Sequence, residues 1–351
     1  DLAVLGDAEY SYRDPGNARA LDQLSIDEWF DRNGVGGWVR KLLSVAYTTE
    51  MGLESGEQSA LNFLTFIDPA PDPFHIFGDS DERFHTRGGN DQLVQELARR
   101  LGDRIETGSV LEALSQKAND GYVLSVRRDR ASREIAASHV VLALPFTLLR
   151  KVKLDLELPP VKRKAIAELA YGTNAKLMVG FAERVWTGRA ASDGSTFTDL
   201  PFQTTWETSR QQAGAAGILT NFVGGRHGLE IGQGSAAEQA GLAVKDLEKL
   251  FPGLAAQRAG MKEARMHWPT NPWVEGSYFC ARPGDWTTLG GAMAESVGRL
   301  RFCGEHCSDE NSGFMEGACE TGEQQARELL AELGIRTTAG IARREFLRLR
   351  T

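Results

Sequence analysis

The sequence is short of cysteine, positive charge and long apolar runs, and each shortage excludes something. Four Cys among 351 residues are too few for a disulfide framework. Cys303 and Cys307 bracket His306, but positions i and i+4 at a strand-to-loop junction diverge, and no second Cys-x2-Cys or His-x3-His exists. No metal site is expected. Lys and Arg number 40 against 48 Asp and Glu, for a net charge of -8 and a pI near 5.4. That balance argues against nucleic acid and anionic membranes as partners. No apolar run approaches the roughly 18 residues of a membrane-spanning helix. A soluble chain is expected, with cytoplasmic and exported locations both open. A dinucleotide fingerprint is lacking too. Gly34-Val35-Gly36-Gly37 follows Asp31-Arg32-Asn33 rather than a strand, and Gly224-Gly225 and Gly290-Gly291 lack a third glycine. No G-x-G-x-x-G turn sits between a strand and a helix.

What is present centres on residues 299 to 334. Arg299-Leu-Arg-Phe-Cys303 reads as a short strand ending at Gly304, with Glu305 and His306 in a polar turn. A helix starts at Ser312-Gly313, with an apolar face at Phe314, Ala318, Ala326, Leu329 and Leu330. Gly317, Ala318 and Gly322 keep one side thin, so a backbone or a flat ligand can approach. A strand, a carboxylate and a helix start aim free N–H groups and a positive dipole end at one point. That geometry suits a phosphate or a ring carbonyl that gains negative charge on reduction. The alternative is a plain strand–turn–helix unit that closes an α/β domain.

The run F-C-G-E-H-C-S, followed by S-G-F-M-E-G-A-C-E-T-G-E-Q-Q-A, resembles the C-terminal flavin-binding segment of the FAD-dependent amine oxidases. That family includes monoamine, polyamine and L-amino-acid oxidases. The resemblance implies that Gly304 and Glu305 meet the phosphate and ribityl region of FAD, and that Gly313, Phe314 and Met315 present a helix start to the flavin ring. It also implies a βαβ unit carrying the G-x-G-x-x-G turn, which these residues do not contain. The chain opens at Asp1 without Met, signal peptide or opening strand. The expectation is therefore a fragment, or a partner chain that carries the N-terminal FAD-binding segment.

Further stretches fit the same family. Phe84-His-Thr-Arg87-Gly88-Gly89-Asn-Asp-Gln-Leu93 resembles its R-x-G-G loop, although Arg87 abuts the glycines. The resemblance puts Arg87, Gly88 and Gly89 near the flavin; the other reading of Arg87 is a surface cation. Arg104 to Leu111 reads as a short strand, and the resemblance lets Val110 or its neighbour meet the adenine through backbone groups. Trp273-Val-Glu-Gly-Ser277-Tyr278 resembles a W-x-x-G-x-Y segment. By that likeness Trp273 lies at the cofactor, and Tyr278 faces Phe314 across the substrate path. Ser277 stands where some relatives carry the cysteine that bonds the flavin, so FAD is expected to be non-covalent. Lys176 opens an apolar strand, where a buried lysine needs a partner or loses its proton. In the family a lysine here holds a water against the flavin; the alternative is a strand-entry lysine in solvent.

The remaining chain reads as scaffold. Ser25 and Glu28 form a capping box ahead of a helix, and further helices are expected over 38–47 and 59–66. Asp68-Pro-Ala-Pro-Asp-Pro73 is a break. Tyr122–Arg127 and Arg133–Ala137 pair as a hairpin. His139 to Pro145 is a continuous apolar run, expected as a strand buried on both faces. A helix follows Pro159-Pro160, a strand runs over 171–181, and strands over 202–206, 218–223 and 264–268 flank a helix over 236–250. The basic tail 341–350 is expected as a solvated helix.

The fold expected is α/β plus α+β, a two-lobed FAD-binding amine-oxidase-like architecture whose first Rossmann βαβ unit is missing. Residues 1–80 would form the helical part of the substrate domain and 81–155 part of the FAD lobe. The substrate lobe would span 156–285 and the C-terminal FAD segment 286–335, before the tail at 336–351. The expected reaction is oxidation of an amine by hydride transfer to FAD, with O2 restoring the cofactor and forming peroxide. Small amines or amino acids and O2 are the expected partners, and a homodimer is compatible. No arginine adjoins Tyr278 or Phe314 except Arg282, which favours amines over zwitterions needing a carboxylate anchor. Arg40 remains an alternative anchor. An L-amino-acid oxidase is the first rival, and a cofactor-free binding module is the second.

Overall fold

The computed structural model describes residues 5, 10–68, 70, 74–77, 84, 86–117, 121–188, 191–258 and 260–335. The basic tail, His85 and most of the proline-rich break lie outside the described residues. The strands are β1 (Ser109–Gln116), β2 (Tyr122–Arg128), β3 (Ala131–Ala137), β4 (Val140–Leu142), β5 (Lys153–Asp155), β6 (Ala175–Phe181), β7 (Thr196–Phe197), β8 (Thr204–Glu207), β9 (Gly217–Val223), β10 (Glu263–His267) and β11 (Leu300–Phe302). They form sheets ordered β3-β2-β1-β5, β10-β6-β9-β8-β7 and β11-β4.

The hairpin lies where the sequence predicts it, β2 pairing β3 from Tyr122↔Ala137 to Arg128↔Ala131. Asp129 takes the left-handed conformation at its tip (φ 56°), which a short polar side chain tolerates. The strand expected from Arg104 begins instead at Ser109, because Gly102–Arg104 closes a 3₁₀ turn.

The apolar run after His139 yields a strand of three residues that pairs in parallel with β11, Val140 opposite Leu300 and Leu142 opposite Phe302. Val140 and Leu142 enter a core with Phe146, Leu149 and Phe302. Val141, on the other face, is 42% exposed. Only one side of this strand is covered among the described residues, contrary to the two-sided burial expected.

β6 explains how the five-stranded sheet serves two purposes. Ala175, Leu177 and Val179 share a core with Ala240, Val244 and Leu247 of the Ala236–Leu247 helix. Side chains alternate along a strand, so Lys176 and Met178 emerge on the opposite face, where they are only half-buried.

The helical region begins at the predicted capping box: Ser25 accepts from the Glu28 N–H, and the Glu28 carboxylate accepts from the Ser25 N–H. Helices Ile26–Arg32, Gly37–Met51 and Ala60–Leu64 follow. Phe30 and Tyr47 meet Phe63 edge-on, with ring centres 5.4 and 5.0 Å away.

The last helix, Met315–Glu332, inverts one expectation. Its buried residues are Gly317, Thr321 and Gln325, whereas Ala318 and Ala326 face outward and Leu329 and Leu330 are half-buried. Close approach decides this. A Cβ on Gly317 would lie 2.2 Å from the Asn311 carbonyl, and the Thr321 hydroxyl bridges both the N–H and the C=O of Gly304. The polar face locks the helix to the turn, leaving the small-residue face open.

Candidate active site

A cavity of about 960 Å³ opens on the Lys176 face of the five-stranded sheet. Its walls include Lys176, Trp206, Phe222, Tyr278, Gly313 and Phe314. Lys176 lies opposite Phe222 in the β6–β9 register, and its Nζ is 5.3 Å from the Phe222 ring centre and 5.5 Å from that of Trp206. A cation over aromatic faces is held by about 0.5–2 kcal/mol, depending on desolvation. Among the described residues no carboxylate forms an ion pair with Lys176. Sequence reasoning missed both rings. The signal was their strand alternation, but pairing β6 with β9 and β8 is non-local.

Tyr278 is fixed at both ends. Its phenol donates to the Glu50 carbonyl, and its own carbonyl accepts from Gly172 N–H at 2.8 Å. Ser277, next to it, donates to Asn174 Oδ1 at 2.6 Å. Behind these residues two glycines permit a backbone crossing. A Cβ on Gly172 would meet Ser277 Oγ at 2.4 Å and the Met51 carbonyl at 2.7 Å, and one on Gly224 the Thr48 carbonyl at 2.2 Å.

The turn after β11 carries the second wall. The Glu305 carboxylate accepts from Phe279 N–H at 3.1 Å and from Gly313 N–H at 2.8 Å. Burial raises its pKa, and those two N–H groups pull the other way without prevailing. Phe314 is the N-cap of the last helix, whose first turn has no side-chain cap. The first N–H groups of a helix find no acceptor within the helix itself.

Lys176, Tyr278, Gly313 and Phe314 thus share one cavity, whereas the other sequence-predicted residues lie outside its walls. Arg87, Gly88 and Gly89 are exposed, with Gly88 and Gly89 in the left-handed region (φ 88° and 110°). Val110 is half-buried in β1. Gly304 and Glu305 are half-buried, and Trp273 and Met315 are 65% and 53% exposed. Among the described residues, the carboxyl-bearing cavity residues are Asp14, Glu50, Asp309 and Glu310, against one cation, Lys176. Neither candidate carboxylate anchor is there. Arg40 pairs with Asp27 and Asp31, while Arg282 precedes the Asp285 turn and its N–H bonds that carboxylate.

Under the turn lies a buried polar cluster. His306 packs against the Phe146 ring at 4.6 Å, and burial pushes it down to about 4. Lys162 is 1% exposed, donates to the Met293 carbonyl at 2.7 Å and lies 3.8 Å from the Phe302 ring centre. Burial still pushes its ammonium down to about 8 from 10.5. Between those values the unfolded chain holds more of this proton than the folded one, so stability gains with rising pH. The cost of the buried charge is complete below pH 8, about 3 kcal/mol, and is relieved toward pH 10.5. Urea unfolding across pH 7 to 10 is expected to show a shallower rise for Lys162→Met than for the parent. Equal slopes would remove Lys162 as the cause.

Residues 12–330 match the family described as flavin containing amine oxidoreductase. A flavin-containing amine oxidase of Danio rerio is 27% identical over 341 residues, 93% of this chain and 62% of that protein. An L-amino acid dehydrogenase of Synechocystis sp. is 24% identical over 336 residues, 95% and 68% of the two. The chain spans about 61–62% of the length of the first curated relatives it matches. Among solved structures, a putrescine oxidase redesigned in cofactor binding superposes with a TM-score of 0.79 at 21% identity, covering 94% of this chain and 73% of that one. Cyclohexylamine oxidase from Brevibacterium oxydans gives 0.75 at 20%, covering 92% and 70%. The mixed α/β architecture is that of these oxidases. The chain itself belongs to the flavin-containing amine oxidoreductase family.

Proposed function

We propose that this chain supplies the substrate cavity and part of the cofactor cradle of an FAD-dependent amine oxidase. The overall change is RCH2NH2 + O2 + H2O → RCHO + NH3 + H2O2, for which bound FAD supplies the two-electron acceptor. The observation that carries this reading is the single cavity joining Lys176, Tyr278 and Phe314 beside an uncapped helix start. Residues 81–155 and 286–335 form the cofactor side in this reading, with 1–80 and 156–285 on the substrate side. The fit to a flavin rests on the helix start after Phe314, which has no side-chain cap, and on the side that carries exposed Ala318 and Ala326 with half-buried Gly322 between them. Gly304, Glu305 and Met315 flank that edge, and Arg87, Gly88, Gly89, Val110 and Trp273 are left for the more distant parts of the cofactor. Ser277 has no thiol to bond the ring, and its hydroxyl is engaged by Asn174, which supports non-covalent binding.

The chain's own groups do three things in this mechanism. Tyr278 and Phe314 orient the amine and exclude water. Lys176 holds a proton and a water at the cavity wall. The carboxylates at Asp14, Glu50, Asp309 and Glu310 bias the cavity toward cationic molecules and away from carboxylates. Their excess over Lys176, with no arginine in the walls among the described residues, favours amines over amino acids. The second reading is L-amino-acid oxidation, favoured by the Synechocystis relative.

Peroxide release from matched pairs separates the two readings, each pair being an L-amino acid and its decarboxylated amine. The amine is expected to show the larger kcat/KM, by about tenfold or more, since an unpaired carboxylate in an acidic cavity costs at least about 1.4 kcal/mol. Faster turnover of the amino acids would overturn the preference.

One surface supports a further partner. The Asp91–Leu101 helix has no buried residue. Leu93, Val94, Leu97 and Leu101 share one side of it, each at least 46% exposed. Such a stripe on an amphipathic helix is normally covered. Together with the open face of Val141, it supports packing of a βαβ segment that carries the glycine turn for the FAD pyrophosphate, from the same or another chain.

A further inference from the structure

The two aromatic walls belong to segments far apart in sequence, and one side chain ties them together. Phe279 follows Tyr278, and Gly313 precedes Phe314. The N–H groups of Phe279 and Gly313 end on Oε1 and Oε2 of the same carboxylate, that of Glu305. Each bond is charge-assisted, the stronger kind of hydrogen bond. Gly313 also stands against Tyr278 directly: a Cβ placed there would be 3.8 Å from Cγ of the Tyr278 ring. Three segments therefore converge on one half-buried group.

We propose that Glu305 is a positioning residue, whose carboxylate sets the Tyr278-bearing and Phe314-bearing segments at a fixed separation. This rests on the reading of the cavity as an amine-oxidising site. It differs from the role that resemblance implies, contact with the cofactor. Both oxygens are here engaged by this chain's backbone, although each keeps a second lone pair. The carboxylate is the one side chain that can accept at both ends with this reach. A glutamine has one acceptor and turns its NH2 toward the other N–H, donor against donor. An aspartate is one methylene shorter, and an alanine frees both N–H groups. The proposal concerns geometry, so its first readout needs no turnover.

The test is deuterium exchange of the 351-residue chain, resolved to single amides by mass spectrometry. In Glu305→Gln and Glu305→Ala, exchange at Phe279 or Gly313 is expected to accelerate about tenfold or more, both amides responding in Glu305→Ala. Amides of β6 and β9 are expected to keep the parent's rates, and Glu305→Asp to fall between. Unchanged exchange at both amides overturns the clamp, and so does acceleration shared equally by β6 and β9, which would signal general loosening. These outcomes hold whether or not any amine is oxidised.

The link to the site is tested in FAD-loaded enzyme by a double-mutant cycle of Glu305→Gln with Tyr278→Ala, scored on the rate of flavin reduction by an aromatic amine. Positioning through the wall predicts a much smaller effect of Glu305→Gln once Tyr278 is absent. Full additivity would show that Glu305 acts elsewhere and overturn the positioning role.

Discussion

Supplying a βαβ segment with a G-x-G-x-x-G turn, fused or as a second chain, is expected to tighten FAD binding by residues 1–351 about 10³-fold, or about 4 kcal/mol. In the proposed reading this chain meets the ring and ribityl edge, and its sequence holds no G-x-G-x-x-G turn between a strand and a helix to place a pyrophosphate on a helix N-terminus. The same addition would cover Leu93, Val94, Leu97 and Leu101, side chains whose full burial is worth roughly 1.5–3 kcal/mol each. Calorimetry of FAD binding with and without the segment measures the gain. Leu97→Glu in this chain is the internal control, because a charge in that stripe should weaken docking of the segment without touching the cavity. Nanomolar FAD binding by residues 1–351 alone would falsify the expectation.

Lys176→Met is expected to slow reoxidation of the reduced flavin by O2 about 10²-fold, the lower range for loss of a positioned proton-handling group. Methionine keeps an unbranched chain between Trp206 and Phe222, so the walls persist while the charge goes. Amine affinity should therefore change by a small factor only, and stopped-flow traces of the two half-reactions separate these effects. An unchanged reoxidation rate would leave Lys176 as a strand residue stabilised by its two rings. The measurement needs the flavin-loaded enzyme, so it follows the FAD experiment in order.

Local signals were legible in the sequence, and they were legible because their physics is local. Ser25 and Glu28 satisfy each other's N–H groups across three residues, and the β2–β3 hairpin closes through adjacent residues. The strand–turn–helix after Arg299 was readable for the same reason. Burial direction was less so. The last helix carries alanines on one side and Gly317, Thr321 and Gln325 on another, and hydropathy alone turns the wrong side inward. Hydrogen bonds exchanged between the Thr321 hydroxyl and the Gly304 backbone reverse the choice. The four residues gathered in the cavity come from β6, the Tyr278 turn and the start of the last helix, and a motif can name them without locating them. Trp206, Phe222 and the proposed Glu305 clamp escaped notice because strand alternation does not say which strands pair, and a carboxylate bridge has no signature in sequence order.

The crossing at Gly172 and Gly224 bears on how this cavity can be re-shaped by selection. The backbone behind Tyr278 has no room for even one methyl group, so variants there should disappear from any library screened for folded protein. Trp206, Phe222 and Phe197 instead line the cavity from the sheet, where a change of volume alters the cavity and, at Trp206 and Phe222, the hold on Lys176. If the cavity takes amines as proposed, acceptance of larger or smaller ones would be tuned through those three positions rather than at the glycine crossing.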